Sequence, residues 1–488
     1  LQNTIDITDS HTPQTAPQRL CTALISLLQC GDVKKAFDIE QAQLLRVEVP
    51  VAGMEPLLWL AAQPSATQYF WSDREGHIEM AGIGEAEVLM PHNCGDIENA
   101  FSTMRTRLSR HFNGLRYYGG LRFQPSSGRA SRWSRFAEYR FIVPRFELLK
   151  RKKSAVLACN ILWDSHETRE NLIDRIRQEA QLLIMEEAAD WTKQSPTILD
   201  RKDLPNQQEW DILVNKALRA FDTGKLDTDR QDTGRQDTGS LDKIVLARES
   251  TFTAVDTFDP VRLLWALRQK TIRSYEFCFH PVVDRAFIGA SPERLYRRVN
   301  RYLQSEAVAG TRPRGDSEEN DQVYARELMA SEKEQREHQF VVQNLTSHMH
   351  NLCRHVCPVP KPGIMKLNRI QHLYTPLEGL LHPDVDDVKL LQTLHPTPAV
   401  GGTPREVALE WLRENEPFDR GLYAAPVGWV SHDAAEFCVA IRSGLVQGNT
   451  LSVYSGAGIV PGSVPEDEWN EIENKMSNFL EALHHESN

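Results

Sequence analysis

Two acidic stretches offer the first chemistry in this chain. Glu334 and Glu337 lie three residues apart in SEKEQREHQF, and Glu468, Glu471 and Lys475 follow one another at spacings of three and four in PEDEWNEIENK. Residues three or four apart share one face of a helix, so each stretch projects its carboxylates from one side. Carboxylates on two helices that meet across a cleft can hold a hard divalent cation, with water completing an octahedron. The same spacing also suits two solvated acidic faces. Lys243 opens the apolar run KIVLAR; a lysine at the end of a buried strand, partly desolvated, can give up its proton and act as a general base. Glu293, in the turn of GASPERL, could serve as an acid at a cleft rim, although each of these charges taken singly also suits a surface position. GTRPRG at 310–315 and SGAGIV at 455–460 are glycine-bearing turns whose N–H groups could cradle a carboxylate, or simply turns. Neither matches the Walker A or dinucleotide patterns, so no nucleotide phosphate cradle is indicated.

The elements that must position these residues are legible in outline. An apolar helical period (Leu20, Leu24, Leu27, Leu28) is followed by alternating and aromatic runs at 57–90, YYGGLRF at 117–123, YRFIVPRFELL at 139–149 and SAVLACNILW at 154–163, all of strand character. A charged helix is expected over roughly 166–189 and a long one over about 319–352. The final helix places Pro465 near its start, acidic residues in its first turn, and Trp469, Ile472, Met476, Phe479 and Leu480 at helical spacing. Strands and helices intermix without regular βαβ alternation, which predicts an α+β fold of mostly antiparallel sheets flanked by helices. Residues 1–17 read as a flexible arm. The D-T-G repeats at 222–242 read as a low-complexity insertion, because so few apolar side chains cannot offset the entropy of ordering. That leaves 18–221 and 243–488 as the two halves of the fold.

Composition narrows the class. The 488 residues carry 56 Lys+Arg against 67 Asp+Glu, a net charge of −11 that argues against a phosphate-backbone binder. The aromatic residues are scattered, so no nucleic-acid stacking platform is expected. No apolar run of membrane-spanning length occurs, and LQNTIDITDSHTPQTAPQRL lacks the pattern of a secretory signal. Eight cysteines without a CxxC pair fit reduced thiols. These features predict a cytoplasmic enzyme, by default a monomer. His348, His350, Cys353, His355 and Cys357 in HMHNLCRHVC invite a zinc reading, but the run is expected to continue a helix to near Pro358 and lacks a second ligand cluster, so structural or surface roles are preferred.

The ordered set KIVLAR, SPERL, AVAGTRPRG, ELMASEKEQREH, LHPTPAVGGTP, FDRGLYAAPVGW, CVAIRS, YSGAGIV and PEDEWNEIENK resembles the chorismate-utilising enzymes, densely over about 240–485. In the N-terminal half, WLAAQ, QYFWSDREG and YYGGLRF look like the menaquinone-type isochorismate synthase version. The resemblance implies one catalytic domain of two intimately packed halves, with chorismate as substrate and Mg²⁺ as cofactor. It gives Glu337 and Glu471 as Mg²⁺-binding carboxylates, with Glu334 and Glu468 acting through water. Lys243 would activate water for attack at C2 and Glu293 would protonate the departing C4 hydroxyl. Tyr423, Arg442, Gly456, Gly458 and Lys475 would hold the substrate carboxylates, Gly310 and Thr311 would form the turn beside the ring, and His395 would be the active-site histidine of LHPTPAVGG. Relatives that use ammonia resemble one another in having Gln where this chain has Lys243, and aminodeoxychorismate synthases in having Lys where it has Ala309. Water as nucleophile, and hence isochorismate as product, is the implied chemistry, feeding quinone, siderophore or salicylate synthesis. The alternatives are a salicylate synthase, which would go on to eliminate pyruvate, and an inactive chorismate-binding protein.

Overall fold

The computed structural model of the chain describes residues 14–29, 42–108, 114–125, 132–152, 154–163, 167–188, 196–226 and 241–483. Every strand pairing among them is antiparallel. One limb of sheet runs, in spatial order, through Gln43–Val51, Ser154–Trp163, Tyr139–Arg151, Ile78–Leu89, Gln68–Ser72, Tyr275–Val282, Arg285–Ser291, Ser443–Gln447, Thr450–Ile459, Lys243–Ala254 and Ile198–Leu204. A second limb branches from Tyr139–Arg151 through Tyr117–Leu121, Pro426–Val430, Ala434–Val439, Arg294–Val299, Tyr302–Pro313 and Ile370–Leu381. Strands from before residue 221 and after residue 243 therefore sit side by side in both limbs, and one core serves the whole. The Gln68–Ser72 strand is buried along its full length, with Tyr69, Phe70 and Trp71 inaccessible. Burying a side chain of that size contributes roughly 1.5–3 kcal/mol, which makes this N-terminal strand part of the C-terminal half's stability.

Helices flank the sheets. Glu332–Leu352 packs on Tyr302–Pro313 and Ile370–Leu381, and Pro465–Leu483 packs on Thr450–Ile459. The latter buries Ile472, Met476 and Phe479, as its period predicts. Several expectations need correction. The long helix over 319–352 is two, Glu318–Ala330 and Glu332–Leu352, because Ser331 adopts extended backbone and its side chain accepts from the Glu334 N–H as a cap. HMHNLCRHVC does not continue the helix to Pro358: the helix ends at Leu352 and Cys353–Val356 forms a strand against Ile370–Leu381. The stretch read as an arm overlaps the helix Ala16–Gln29, whose Leu20, Leu24 and Leu28 are buried; residues 1–13 lie outside the described residues. The helix Gln207–Leu226 likewise reaches into the D-T-G stretch, of which 227–240 lie outside the described residues.

Candidate active site

Between the two limbs lies a cavity of about 320 Å³. Its floor comes from Lys243–Ala254 and Thr450–Ile459 of one limb and from Tyr302–Pro313 of the other; the N-terminal turns of Glu332–Leu352 and Pro465–Leu483 close over it. Lys243, Glu293, Gly310, Thr311, Glu334, Glu337, Tyr423, Arg442, Gly456, Gly458, Glu468, Glu471 and Lys475 all line it. These residues span more than two hundred positions of sequence, and the sheet register brings them to one place.

His395 is the exception. Its ring packs edge-to-face on Phe123 at 5.5 Å and does not line the cavity. Burial, with the nearby charges of Arg405 and Arg420, pushes its pKa down to about 3, so the ring is neutral and packs on Phe123 instead of lining the cavity. The loop that follows it does reach the site: Gly402 and Thr403 pair with Ile244 and Lys243, and Val245 N–H donates to Gly401 O. Gly402 has φ 148°, and a Cβ there would lie 2.4 Å from the Lys243 carbonyl. Gly402→Ala is therefore expected to cost roughly 1–3 kcal/mol and to push the Lys243 strand outward. A melting temperature and kcat both equal to wild type would contradict this.

The lysine amine sits in the wall, with Lys243 only 3% exposed, and donates to Glu337 Oε1 at 2.8 Å. Burial opposes ionisation of Glu337, but Lys243, helped by Lys475 and Lys333, outweighs it and holds the carboxyl below its usual range. Lys475 Nζ bonds Glu471 Oε1 at 2.6 Å and the Gly456 carbonyl at 2.9 Å. Glu293 sits in the tight turn between Arg285–Ser291 and Arg294–Val299. Burial, then the neighbouring Glu306 charge, pushes its pKa up to about 8 despite Lys243 and Lys475. A carboxyl so placed keeps its proton at neutral pH and can donate it.

Arg442 stands apart. Its backbone is left-handed (φ 50°), a strained setting for a side chain. Burial alone lowers its pKa to about 10, and among the described residues its guanidinium has no ion-pair or hydrogen-bond partner. A half-buried cation facing a cavity without a counterion is partly stripped of water and is matched by a ligand carboxylate, onto which Arg can fork. Tyr423 stacks on Tyr454 at 5.4 Å, and burial holds its hydroxyl protonated as a donor.

Gly310 (φ 77°) makes a bulge in the pairing of Tyr302–Pro313 with Ile370–Leu381. The bulge turns the Thr311 N–H onto Glu334 Oε2 at 3.2 Å, while Arg312 holds Glu334 Oε1 at 2.8 Å. Burial and Glu471 push Glu468 up to about 7. Among the described residues no three acidic or imidazole groups close into a preformed cation cage. Glu334 and Glu337 on one helix and Glu468 and Glu471 on another line the cavity and form an all-oxygen donor set, the kind that a hard cation such as Mg²⁺ accepts.

Sequence reasoning missed four titratable lining residues, Arg312, Lys333, His372 and Asp467. The two cations are adjacent to motif residues and could have been picked up there. His372 lies in IQHLYT, with nothing local to mark it. Its Nδ1 is 3.2 Å from the Gly310 carbonyl and 3.1 Å from Thr311 Oγ1. Burial, Arg442 and Lys475 push its pKa down to about 3, so it lies by the cavity as a neutral ring.

Among the described residues no helix is long and apolar enough to cross a membrane. The family profile "Chorismate binding enzyme" matches residues 31–484. The chain is 34% identical to isochorismate synthase 2, chloroplastic, of Arabidopsis thaliana, over 97% of this chain and 86% of that protein. It is 30% identical to isochorismate synthase MenF of Bacillus subtilis, over 92% of this chain and 95% of that one. The solved structure of MenF, the menaquinone-specific isochorismate synthase of Escherichia coli, superimposes with a TM-score of 0.80 at 28% identity, covering 96% of this chain and all of that one. This chain belongs to the chorismate-binding enzymes, on the branch formed by the isochorismate synthases.

Proposed function

We propose that the chain converts chorismate into isochorismate and releases it without eliminating pyruvate. The observation that carries this reading is the half-buried Arg442, without an ion-pair or hydrogen-bond partner among the described residues, facing the same cavity as Lys243 and the protonated Glu293. Arg442, Lys475 and the Tyr423 hydroxyl hold and orient the two carboxylates of the substrate. Lys243 takes a proton from water as its oxygen bonds to C2. Glu293 gives its proton to the C4 oxygen, which leaves as water while the ring double bonds shift. One water enters and one departs, and the proton on Lys243 then returns to Glu293, so the cycle closes as an isomerisation. Stopping at isochorismate is supported by WLAAQ and QYFWSDREG in the N-terminal half, which resemble the menaquinone-type enzymes.

Glu337 and Glu471, with Glu334 and Glu468 through water, would hold Mg²⁺. Bound there, the ion supplies Lewis-acid charge stabilisation beside the substrate carboxylate. Glu337 already gives one oxygen to Lys243, so its other oxygen is the one that would hold the metal.

Product analysis by chromatography tests the reading. Chorismate with Mg²⁺ should give isochorismate, and chelation by EDTA should stop turnover until Mg²⁺ is restored. Salicylate, anthranilate or no product would overturn the assignment, and turnover unaffected by complete chelation would remove the metal from it. Arg442→Gln is expected to raise KM about 10- to 100-fold, the worth of a charged hydrogen-bond pair, with a smaller change in kcat. An unchanged KM would take Arg442 out of the carboxylate site.

A further inference from the structure

Next to Glu293 stands a second buried carboxylate that the reaction above does not use. Glu306, on Tyr302–Pro313, is 4% exposed and receives a two-pronged ion pair from Arg74, Nη1 to Oε1 at 2.6 Å and Nη2 to Oε2 at 2.9 Å. Arg74 Nη1 also donates to the Pro292 carbonyl at 2.8 Å, one residue before Glu293. The backbone N–H of Arg294, one residue after it, donates to Glu306 Oε1 at 3.1 Å. The Glu293 turn is thus gripped on both sides by a single ion pair. Arg74 belongs to the turn between Gln68–Ser72 and Ile78–Leu89, within QYFWSDREG, so this grip is the contribution of the N-terminal half to the site.

We infer that Arg74 and Glu306 are positioning residues for Glu293: the pair pins the turn that carries it and keeps a fixed negative charge beside its carboxyl. The inference rests on the acid role given to Glu293 under the proposed function. A two-pronged Arg–carboxylate pair fixes geometry as well as charge, and the pair is buried, so its effect is little screened. The groups that face Glu293 are Glu306 from Tyr302–Pro313, Lys243 from Lys243–Ala254, Lys475 from Pro465–Leu483, Tyr423 and, from Ala434–Val439, Cys438. Burial raises the Glu293 carboxyl most. Glu306 adds to it and the two lysines oppose it. Breaking the pair therefore alters both where the acid sits and the pH at which it holds its proton.

The test is the pH dependence of kcat and KM in four variants, with Glu293→Gln as reference. Glu293→Gln should abolish turnover; if it turns over like wild type, the acid assignment itself fails and this inference with it. With that assignment standing, Glu306→Gln should move the limb of the pH profile that lies near pH 8 down by at least about half a pH unit, with KM within twofold or so of wild type. Arg74→Gln should lower kcat about 10- to 100-fold through misplacement of the turn, again with little change in KM, and Arg74→Lys should recover only part of it. Removing one partner of a buried pair can unfold a protein. The double variant Arg74→Gln/Glu306→Gln removes both charges of the pair, while Arg294, which also lies 3.9 Å from Glu306, keeps Glu75 and Glu436 as partners; it should fold with the same downward movement of the limb. A folded Glu306→Gln or double variant whose limb coincides with that of wild type overturns the inference. So does an Arg74→Gln enzyme in which KM rises while kcat stays normal.

Discussion

Lys243→Gln is expected to reduce isochorismate formation by about 10²–10⁴-fold, the usual contribution of a positioned general base, while substrate affinity changes by only a few-fold. The amide ends one bond short of the lysine nitrogen, which donates to Glu337 at 2.8 Å, and it cannot accept a proton from water. The groups proposed to hold the substrate carboxylates, Arg442, Lys475 and Tyr423, lie on other elements and are untouched by the change. Single-turnover product analysis together with equilibrium titration of chorismate separates the two effects. Turnover at the wild-type rate would rule out the base. Turnover lost together with binding would make Lys243 an anion-holding group instead.

Glu293→Gln should abolish turnover and at the same time stabilise the protein at alkaline pH. The carboxyl titrates near 8 in the folded chain, against an ordinary value of 4.5, because burial and then Glu306 oppose its charge. Between those two values the folded state holds a proton that the unfolded state has released. Stability therefore falls as pH rises from about 4.5 to 8 and levels off above that. Glutamine removes the titration, so the variant should match wild type near pH 4. At pH 9 it should exceed wild type by a few kcal/mol, since stability falls by about 1.4 kcal/mol for each pH unit crossed between the two values. Thermal melts at the two pH values check this. A variant less stable than wild type at pH 9 would mean that the carboxyl is not held protonated, and the acid role would lose its physical basis.

Much of this was legible in the chain. Trp469, Ile472, Met476 and Phe479 announced the closing helix by their period, and the alternating runs announced strands that the structure pairs antiparallel, except at the start of 57–90, which lies in the helix Pro56–Ala62. The nine motifs placed the lysine, the two acidic helices and the glycine turns in one family pattern, and all of them line one cavity. The misses have local causes. Ser331 read as one more residue in a helical stretch, although serine satisfies the backbone better as a cap than within a helix. HMHNLCRHVC followed a helix without an obvious stop, and only pairing with Ile370–Leu381 turned it into strand. His395 lay in a motif, but a motif does not say which way a ring faces, and packing against Phe123 turned it from the cavity.

Residue type and spacing determined which chemistry this protein could carry: a candidate base, a candidate acid, two pairs of carboxylates and cations for an anion. These are local properties, set by side-chain pKa, helical period and backbone freedom. What only the tertiary structure decided is the state of each group, since that depends on neighbours far away in the chain. The proton on Glu293 is kept by burial and by Glu306, Arg442 has no counterion among the described residues, and Arg74 reaches the acid's turn from more than two hundred residues upstream. Desolvation and Coulomb forces act through space rather than along sequence, so the fold had to be formed before any of these could be read.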